Sequence, residues 1–268
     1  VLYRCKICAG VFIPEFNFKP VDFYDKHYFK GSDSKGYQNY KCMENSLRKT
    51  FIKRINKIEE KHKITGKDML DFGCGMGFFL SEARKKGYRA AGIEVSDYAA
   101  GYCRTKYGFS ILNNINDIDK NFDIITMWDV IEHLEDPLNI LSRVHDIMTA
   151  DGLLVITTGN IDSAAAKLSG KKWHLFNIPE HLSYFSPKSI KYLLEKTGFK
   201  IRQIKYESSY YQIPYIVERL SKSLFGSTDN FFLKISRNLK FFLPVNLFDI
   251  MTIYAGKGER DRIATGKD

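Results

Sequence analysis

The sequence has no apolar run that approaches the roughly 18 residues a membrane span requires, so no integral membrane segment is expected. Its opening, Val1 to Phe12, carries Arg4, Lys6 and two cysteines and lacks the apolar stretch of a secretory signal, which makes the cytoplasm the expected address. Cysteine is scarce, and five in 268 residues argue against a disulfide-held scaffold. Repeats and low-complexity tracts are absent as well. With 44% hydrophobic and 27% charged residues, the composition is that of a soluble chain able to bury one substantial core.

The cysteines that are there divide into two kinds. Cys42, Cys74 and Cys103 stand alone and read as free thiols, whereas Cys5 and Cys8 form a C-x-x-C that resembles one knuckle of a zinc ribbon. A structural zinc needs four ligands, and a second C-x-x-C is missing. Cys42 or His27 would have to complete a site, and no spacing supports either. Since the sequence opens on Val rather than Met, natural residues are expected before Val1, and a leading knuckle would have lain there; the competing reading is a free thiol pair.

The net charge of +10 is uneven along the chain. Residues 1–66 hold 14 Lys and Arg against 7 acids, residues 67–209 hold 18 against 18, and residues 210–268 hold 9 against 6. The flanks carry the excess. Covering an active site they would attract an anionic substrate; otherwise they keep the surface solvated.

The grain of the sequence changes at Gly66 and near Ser208. Four expected units follow: an N-terminal flank (1–65), a core (66–208), a helical insertion or substrate cap (209–248), and a closing strand and tail (249–268). In the core, Asp68–Cys74, Arg89–Val95, Phe122–Val130 and Leu153–Thr158 have strand length, and three of them are apolar enough to be buried on both faces of a parallel sheet. Helical patterns alternate with them at about Gly77–Lys86, Asp97–Tyr107 and Pro137–Met148, with a short strand at Phe109–Leu112. Pro187 after Ser186 starts a helix through Leu194, Gly198 stops it, and Phe199–Tyr206 and Asp249–Ala255 read as the last strands. Glu44–His62 is a basic amphipathic helix with Leu47, Phe51, Ile55 and Ile58 on one face. Phe231, Ile235, Leu239 and Phe242 repeat in the same way, with Lys234, Arg237 and Lys240 elsewhere; this reads as a packed helix, or as one lying on a membrane surface.

The most specific signal is Asp71-Phe72-Gly73-Cys74-Gly75-Met76-Gly77, where an apolar strand gives way to a helix. Glycines there permit tight turning and let a ligand lie against bare backbone beside a helix N-terminus. A dinucleotide site wants a third glycine where this chain has Phe78 or Leu80. Glu94 ends the next strand, 19 residues beyond Gly75, where a carboxylate can take both ribose hydroxyls; nicotinamide enzymes share that feature.

These motifs, followed by Phe122 to Leu134 (FDIITMWDVIEHL), Asp151-Gly152-Leu153-Leu154, Pro179 to Pro187 (PEHLSYFSP) and Leu194 to Phe199 (LEKTGF), resemble the class I S-adenosylmethionine (SAM) dependent methyltransferases. Within them the match is to the bacterial group that methylates small molecules and sugars, ubiquinone-biosynthesis O-methyltransferases included. The resemblance covers about residues 66–208. It implies an α/β, Rossmann-like, doubly wound sheet of seven strands with the last inserted antiparallel. It also implies that Asp71, Gly73, Cys74, Gly75 and Gly77 surround the methionine part of the cofactor, that Glu94 holds the ribose, that Val95 and Ser96 lie beside the adenine, and that Trp128 and Asp129 border the site. The acidic residue often met after the third strand has no clear counterpart in Asn113 to Asp117. The C-x-x-C is similar to part of the N-terminal zinc module of some such proteins.

The acceptor is less legible. The Asn/Asp-Pro-Pro-aromatic quartet of DNA amino methyltransferases and the Pro-Cys of cytosine C5 enzymes are both replaced here by Trp128-Asp129-Val130-Ile131, so no nucleic-acid partner is expected. A small-molecule or sugar acceptor methylated at oxygen is expected, with an anionic, phosphorylated or nucleotide-linked precursor of a bacterial surface polysaccharide as one such acceptor. The alternatives are N- or C-methylation of a nucleotide sugar, a non-catalytic SAM-binding regulatory module, and a nicotinamide dehydrogenase. Tyr210, Tyr211 and Tyr215 are candidates for stacking on the acceptor. Two arrangements compete for the chemistry. In one, Asp129, Glu132 and His133 match E-x-x-E-H positions that the resemblance associates with a divalent cation, with Asp129 one carbon short. In the other, which is favoured, no metal takes part, His181 is the base with an imidazole titrating near 6.5, and His133 positions the acceptor; His174 is a weaker candidate.

Overall fold

The computed structural model describes residues 1–16, 24, 28, 29, 40–61, 67–225, 236, 239 and 241–258. His27, His62, Phe231, Lys234, Ile235, Arg237 and Lys240, on which sequence expectations rest, lie outside them. A hairpin opens the chain, β1 (Tyr3–Arg4) and β2 (Val11–Phe12), and the helix α1 (Glu44–Lys61) leads into the core. There β3 (Asp68–Phe72), α2 (Phe78–Lys85), β4 (Arg89–Ile93), α3 (Asp97–Tyr107), β5 (Ile111–Leu112), β6 (Phe122–Trp128), α4 (Pro137–Asp146) and β7 (Met148–Gly159) alternate. The chain continues through α5 (Ala164–Ser169), β8 (Ser183–Tyr184), α6 (Pro187–Lys196), β9 (Phe199–Tyr206), β10 (Ser209–Gln212), α7 (Ile213–Phe225), β11 (Phe242–Val245) and β12 (Ile250–Lys257).

Seven strands form one sheet in the order β5-β4-β3-β6-β7-β12-β9, and only β12 runs antiparallel to its neighbours. This is the expected doubly wound architecture. Strand periodicity sends alternate side chains to opposite faces, and each face has its own helical cover. Leu70, Ile125, Leu154 and Ile156 pack with Leu141 and Val144 of α4 and Ile190 and Leu194 of α6. Met69, Ile124, Leu153 and Val155 pack with Phe51, Ile55 and Ile58 of α1 and Phe78, Phe79 and Ala83 of α2. Parallel β3, β4, β6 and β7 therefore end on the same edge, which is where an open α/β sheet receives ligands.

Some boundaries differ from the sequence reading. Helix α4 stops at Asp146, and Met148 instead opens β7, opposite Phe122. Phe242 is not helical: it pairs with Gln212 in a two-stranded antiparallel sheet of β10 and β11, and the Lys49 ammonium of α1 lies over its ring. The hairpin β1–β2 extends through β8 into a third small sheet. Cys5 and Cys8 sit on either side of its turn as free thiols. Among the described residues the one group of three that could hold a metal ion is Glu132, His133 and His181, which does not include these cysteines.

Candidate active site at the carboxyl edge of the sheet

The glycine turn after β3 is shaped by steric exclusion. Gly73, Gly75 and Gly77 have φ of 75°, 52° and 75°, a left-handed backbone that side chains disfavour. A Cβ would meet Val130 at 2.6 Å from Gly73, the Tyr40 hydroxyl at 3.1 Å from Gly75, and the Cys103 thiol at 2.7 Å from Gly77. The amides of Gly73 and Cys74 donate to the Ile93 carbonyl at 2.8 and 3.0 Å, tying the turn to the end of β4. Cys74 turns its buried thiol toward Gly92, so its backbone alone is available to a ligand.

Glu94 is more deeply engaged than its sequence position indicates. Its buried carboxylate accepts from the Gly75 amide at 2.7 Å and the Ser96 amide at 2.8 Å, one oxygen each. The Val95 amide also bonds this carboxylate, whose roughly four lone-pair sites still leave capacity for a ligand hydroxyl. Burial raises its pKa, against these backbone bonds. Ser96 spends its hydroxyl capping α3, and Val95 is exposed. Asp71 accepts from the Thr126 hydroxyl at 2.7 Å, and burial pushes its carboxyl up to about 8.

Arg54 of α1 belongs to the site although no sequence motif names it. It is 6% exposed; its guanidinium lies 4.6 Å over the Trp128 ring, its charge acts on the Asp71 carboxyl, and its enclosed Nε has no hydrogen-bond partner among the described residues. Trp128 packs on Phe51 and Phe79, with its own indole N–H unpartnered. A signal was present in the sequence: position 54 falls on the stripe of Phe51, Ile55 and Ile58, where a cation should not be. The aromatic cover was also missed. Tyr40 stacks on Phe78 at 5.5 Å, Phe29 meets Tyr40 and Tyr98, and Tyr24 meets the His133 ring at 5.8 Å.

The acceptor-side residues gather past β6. Asp129 has φ of 55°, an unusual conformation for this residue, and accepts from the Thr157 hydroxyl at 2.8 Å. Glu132 accepts from the Thr158 hydroxyl at 3.0 Å; burial, and then the Asp129 charge, push its carboxyl up to about 8. The His133 Nδ1 lies 2.9 Å from the Glu180 carbonyl, which can only accept, so that nitrogen carries the proton and Nε2 keeps its lone pair. The His181 ring stands at 4.6 Å from the His133 ring, nearly perpendicular to it. Its imidazole does not titrate near 6.5: burial, and then His133, depress it to about 3.

Glu132, His133 and His181 bring one donor atom each within 4.8 Å of one another, the only such group of three among the described residues. The sequence sets a cation on Asp129, Glu132 and His133 against His181 as base with His133 positioning the acceptor. The structure divides them otherwise, because Asp129 is turned to Thr157. His174 belongs elsewhere, 3.5 Å from Asp249, which also takes the Trp173 N–H at 2.8 Å. The N-terminal hairpin braces this cluster: Leu182 N–H donates to Glu132 O at 2.8 Å, and Ile13 N–H to Leu182 O at 2.9 Å. Tyr211 and Tyr215 stack at 5.4 Å, whereas Tyr210 packs beneath Lys49 and Lys53 of α1.

A family model described as a methyltransferase domain matches residues 43–204. The ubiquinone biosynthesis O-methyltransferase of Neisseria meningitidis serogroup C (strain 053442) is 28% identical over 149 residues, which cover 50% of this chain and 59% of that protein. That of Bradyrhizobium sp. (strain ORS 278) is 28% identical over 172 residues, 56% of this chain and 68% of the relative. The chain thus spans about three-fifths of the Neisseria relative's length. Magnesium protoporphyrin IX methyltransferase from Synechocystis PCC 6803 with bound SAM is similar in structure with a TM-score of 0.54 at 13% identity, covering 91% of this chain and 100% of that one. A SAM-dependent methyltransferase from Archaeoglobus fulgidus gives 0.53 at 19% identity, covering 81% and 99%. At these identities the structural likeness shows the fold.

Proposed function

The chain belongs to the methyltransferase-domain family, and from that footing we propose that it transfers a methyl group from SAM to a hydroxyl of a small-molecule or sugar acceptor. The observation that carries the reading is the joint one at the ends of β3 and β4: a left-handed glycine turn in which a Cβ would crowd Val130, Tyr40 and Cys103, with a buried carboxylate pinned to its central amide. A nucleoside fits that cradle, its ribose diol meeting the free lone pairs of Glu94. The cofactor's amino-acid end fits two further groups, its ammonium the Asp71 carboxyl and its carboxylate the buried Arg54 guanidinium, whose Nε has no hydrogen-bond partner among the described residues.

When bound, SAM supplies an electrophilic methyl on a sulfonium, and an oxygen that accepts it becomes a strong acid. His181 then needs little basicity to receive the proton, and an imidazole depressed to about 3 is neutral and receptive at physiological pH. His133, fixed by the Glu180 carbonyl, holds His181 edge-on and positions the acceptor. Basic flanks favour an anionic acceptor such as a phosphorylated or nucleotide-linked sugar.

A second reading is favoured by one observation, the convergence of Glu132, His133 and His181 within 4.8 Å: a divalent cation held there would orient and acidify the acceptor hydroxyl. Chelation separates the two. With an acceptor found by metabolite screening, activity that survives EDTA and falls roughly a hundred-fold in His181→Ala, with SAM affinity kept, supports the histidine base. Activity lost to EDTA and restored by a divalent metal assigns the cluster to the cation.

A further inference from the structure

A small cavity lies behind the acceptor-side histidines, lined by Glu132, Thr158, Trp173, Leu175, His181 and Tyr184 among others, and just wide enough for about one water molecule. Tyr184 is brought there by β8, which pairs it with Val11 of β2, and its ring is fixed by stacking on Phe176 at 5.1 Å. The residue is 4% exposed, and its enclosed hydroxyl has no hydrogen-bond partner among the described residues. A polar group buried without a partner is costly, so such groups are nearly always satisfied by protein or by ordered water. The methyl-transfer reading gives this hydroxyl no task.

The carboxylate on the opposite wall indicates what satisfies it. Glu132, 5% exposed, accepts from the Thr158 hydroxyl through Oε2 at 3.0 Å, and its charge acts on the Tyr184 phenol although no hydrogen bond joins the two. A donor and an acceptor that face one cavity without touching are the two partners a bridging water requires. The Trp173 N–H, on a third wall, is spent on Asp249 at 2.8 Å and does not compete for that place. We infer that one water molecule in this cavity accepts the Tyr184 O–H and donates to the Glu132 carboxylate, which makes Tyr184 a positioning residue for the acceptor side of the site. Glu132 is then held from two sides, by the Thr158 hydroxyl and by the water, while the His181 ring takes its bearing from the Leu175 backbone. The consequence for catalysis rests on the methyl-transfer reading; the water itself does not.

The test uses crystals of the full chain that diffract well enough to show ordered water, as wild type and as Tyr184→Phe. The expected result is one water within hydrogen-bond reach of Tyr184 Oη and Glu132 in the wild type, and none there in the variant. The melting temperature decides independently, by its sign: removing a hydroxyl bonded to water lowers it by about 1–6 °C, whereas removing an unsatisfied hydroxyl leaves it unchanged or raises it. The infrared carboxyl band of Glu132, identified as the band lost in Glu132→Gln, should shift in Tyr184→Phe, which a ring serving only as packing would not cause. S-adenosylhomocysteine affinity should keep its wild-type value, and with an acceptor in hand kcat should fall about ten-fold while the KM for SAM holds. A metal ion in place of the water, a direct hydrogen bond from Tyr184 to a protein group, an unchanged kcat, or a variant as stable as wild type with an unmoved Glu132 band would overturn the inference. Failure of the wild type to bind S-adenosylhomocysteine, with the water and the band shift both present, would instead overturn the methyl-transfer reading and uphold the water.

Discussion

Replacing Glu94 by Gln separates its two duties. The carboxylate holds the Gly75 and Ser96 amides at 2.7 and 2.8 Å in the free protein, and it is proposed to take the ribose diol through its remaining lone pairs. Gln has the same shape but one acceptor oxygen, so one of the two buried amides must face an NH2 group. A hydrogen bond to a charged partner contributes about 1.5–3 kcal/mol, and for a chain of this size that lowers the melting temperature by roughly 3–12 °C. Losing the charge-assisted bonds to the diol adds a separate cost of similar size, a ten-fold to hundred-fold loss of affinity by order of magnitude. Scanning calorimetry reads the first and titration with S-adenosylhomocysteine the second. A lower melting temperature with wild-type affinity would make Glu94 a purely structural residue; no change in either would refute the hydrogen-bond geometry itself.

Arg54→Met should show the opposite pairing, because replacing a buried guanidinium whose Nε makes no hydrogen bond among the described residues by an apolar chain of similar length leaves the free protein about as stable while S-adenosylhomocysteine affinity falls about ten-fold or more; reduced stability with intact affinity would contradict it. Gly73→Ala should cost about 1–3 kcal/mol from the left-handed φ and the clash with Val130, together with cofactor affinity; an unchanged melting curve would count against the cradle. Burial raises the folded pKa of Asp71 to about 8, so its contribution to folding is greatest in acid and declines as pH rises from the ordinary carboxylate range toward 8. A cationic cofactor beside it should expel that proton, so SAM affinity should rise with pH up to about 8, with proton release at neutral pH; calorimetry in buffers of different ionisation enthalpy showing no release would sink the pairing.

The sheet was legible in the sequence because its strands are buried on both faces and read as apolar runs, while the glycine turn and Glu94 announce themselves by spacing. What failed was set by tertiary contacts. Phe242 has helical spacing from Phe231 but pairs as a strand with Gln212 of β10, and the Lys49 ammonium lies over its ring. His181 cannot be known to titrate near 3 until its burial and its neighbour His133, 48 positions earlier, are placed. Arg54 stands out in sequence only as a cation on the apolar stripe of α1; what it faces is known once α1 is laid against Trp128 of β6. The aromatic cover of Tyr24, Phe29 and Tyr40 falls in a stretch with no regular period, so no pattern could single it out.

Titration of the full chain with S-adenosylhomocysteine, and in parallel with NAD, tests the cofactor assignment most directly. Saturable one-site binding of S-adenosylhomocysteine, weakened in Glu94→Gln and Arg54→Met, with no heat from NAD, is the predicted result. Binding of NAD, or failure to bind S-adenosylhomocysteine at all, would contradict the account.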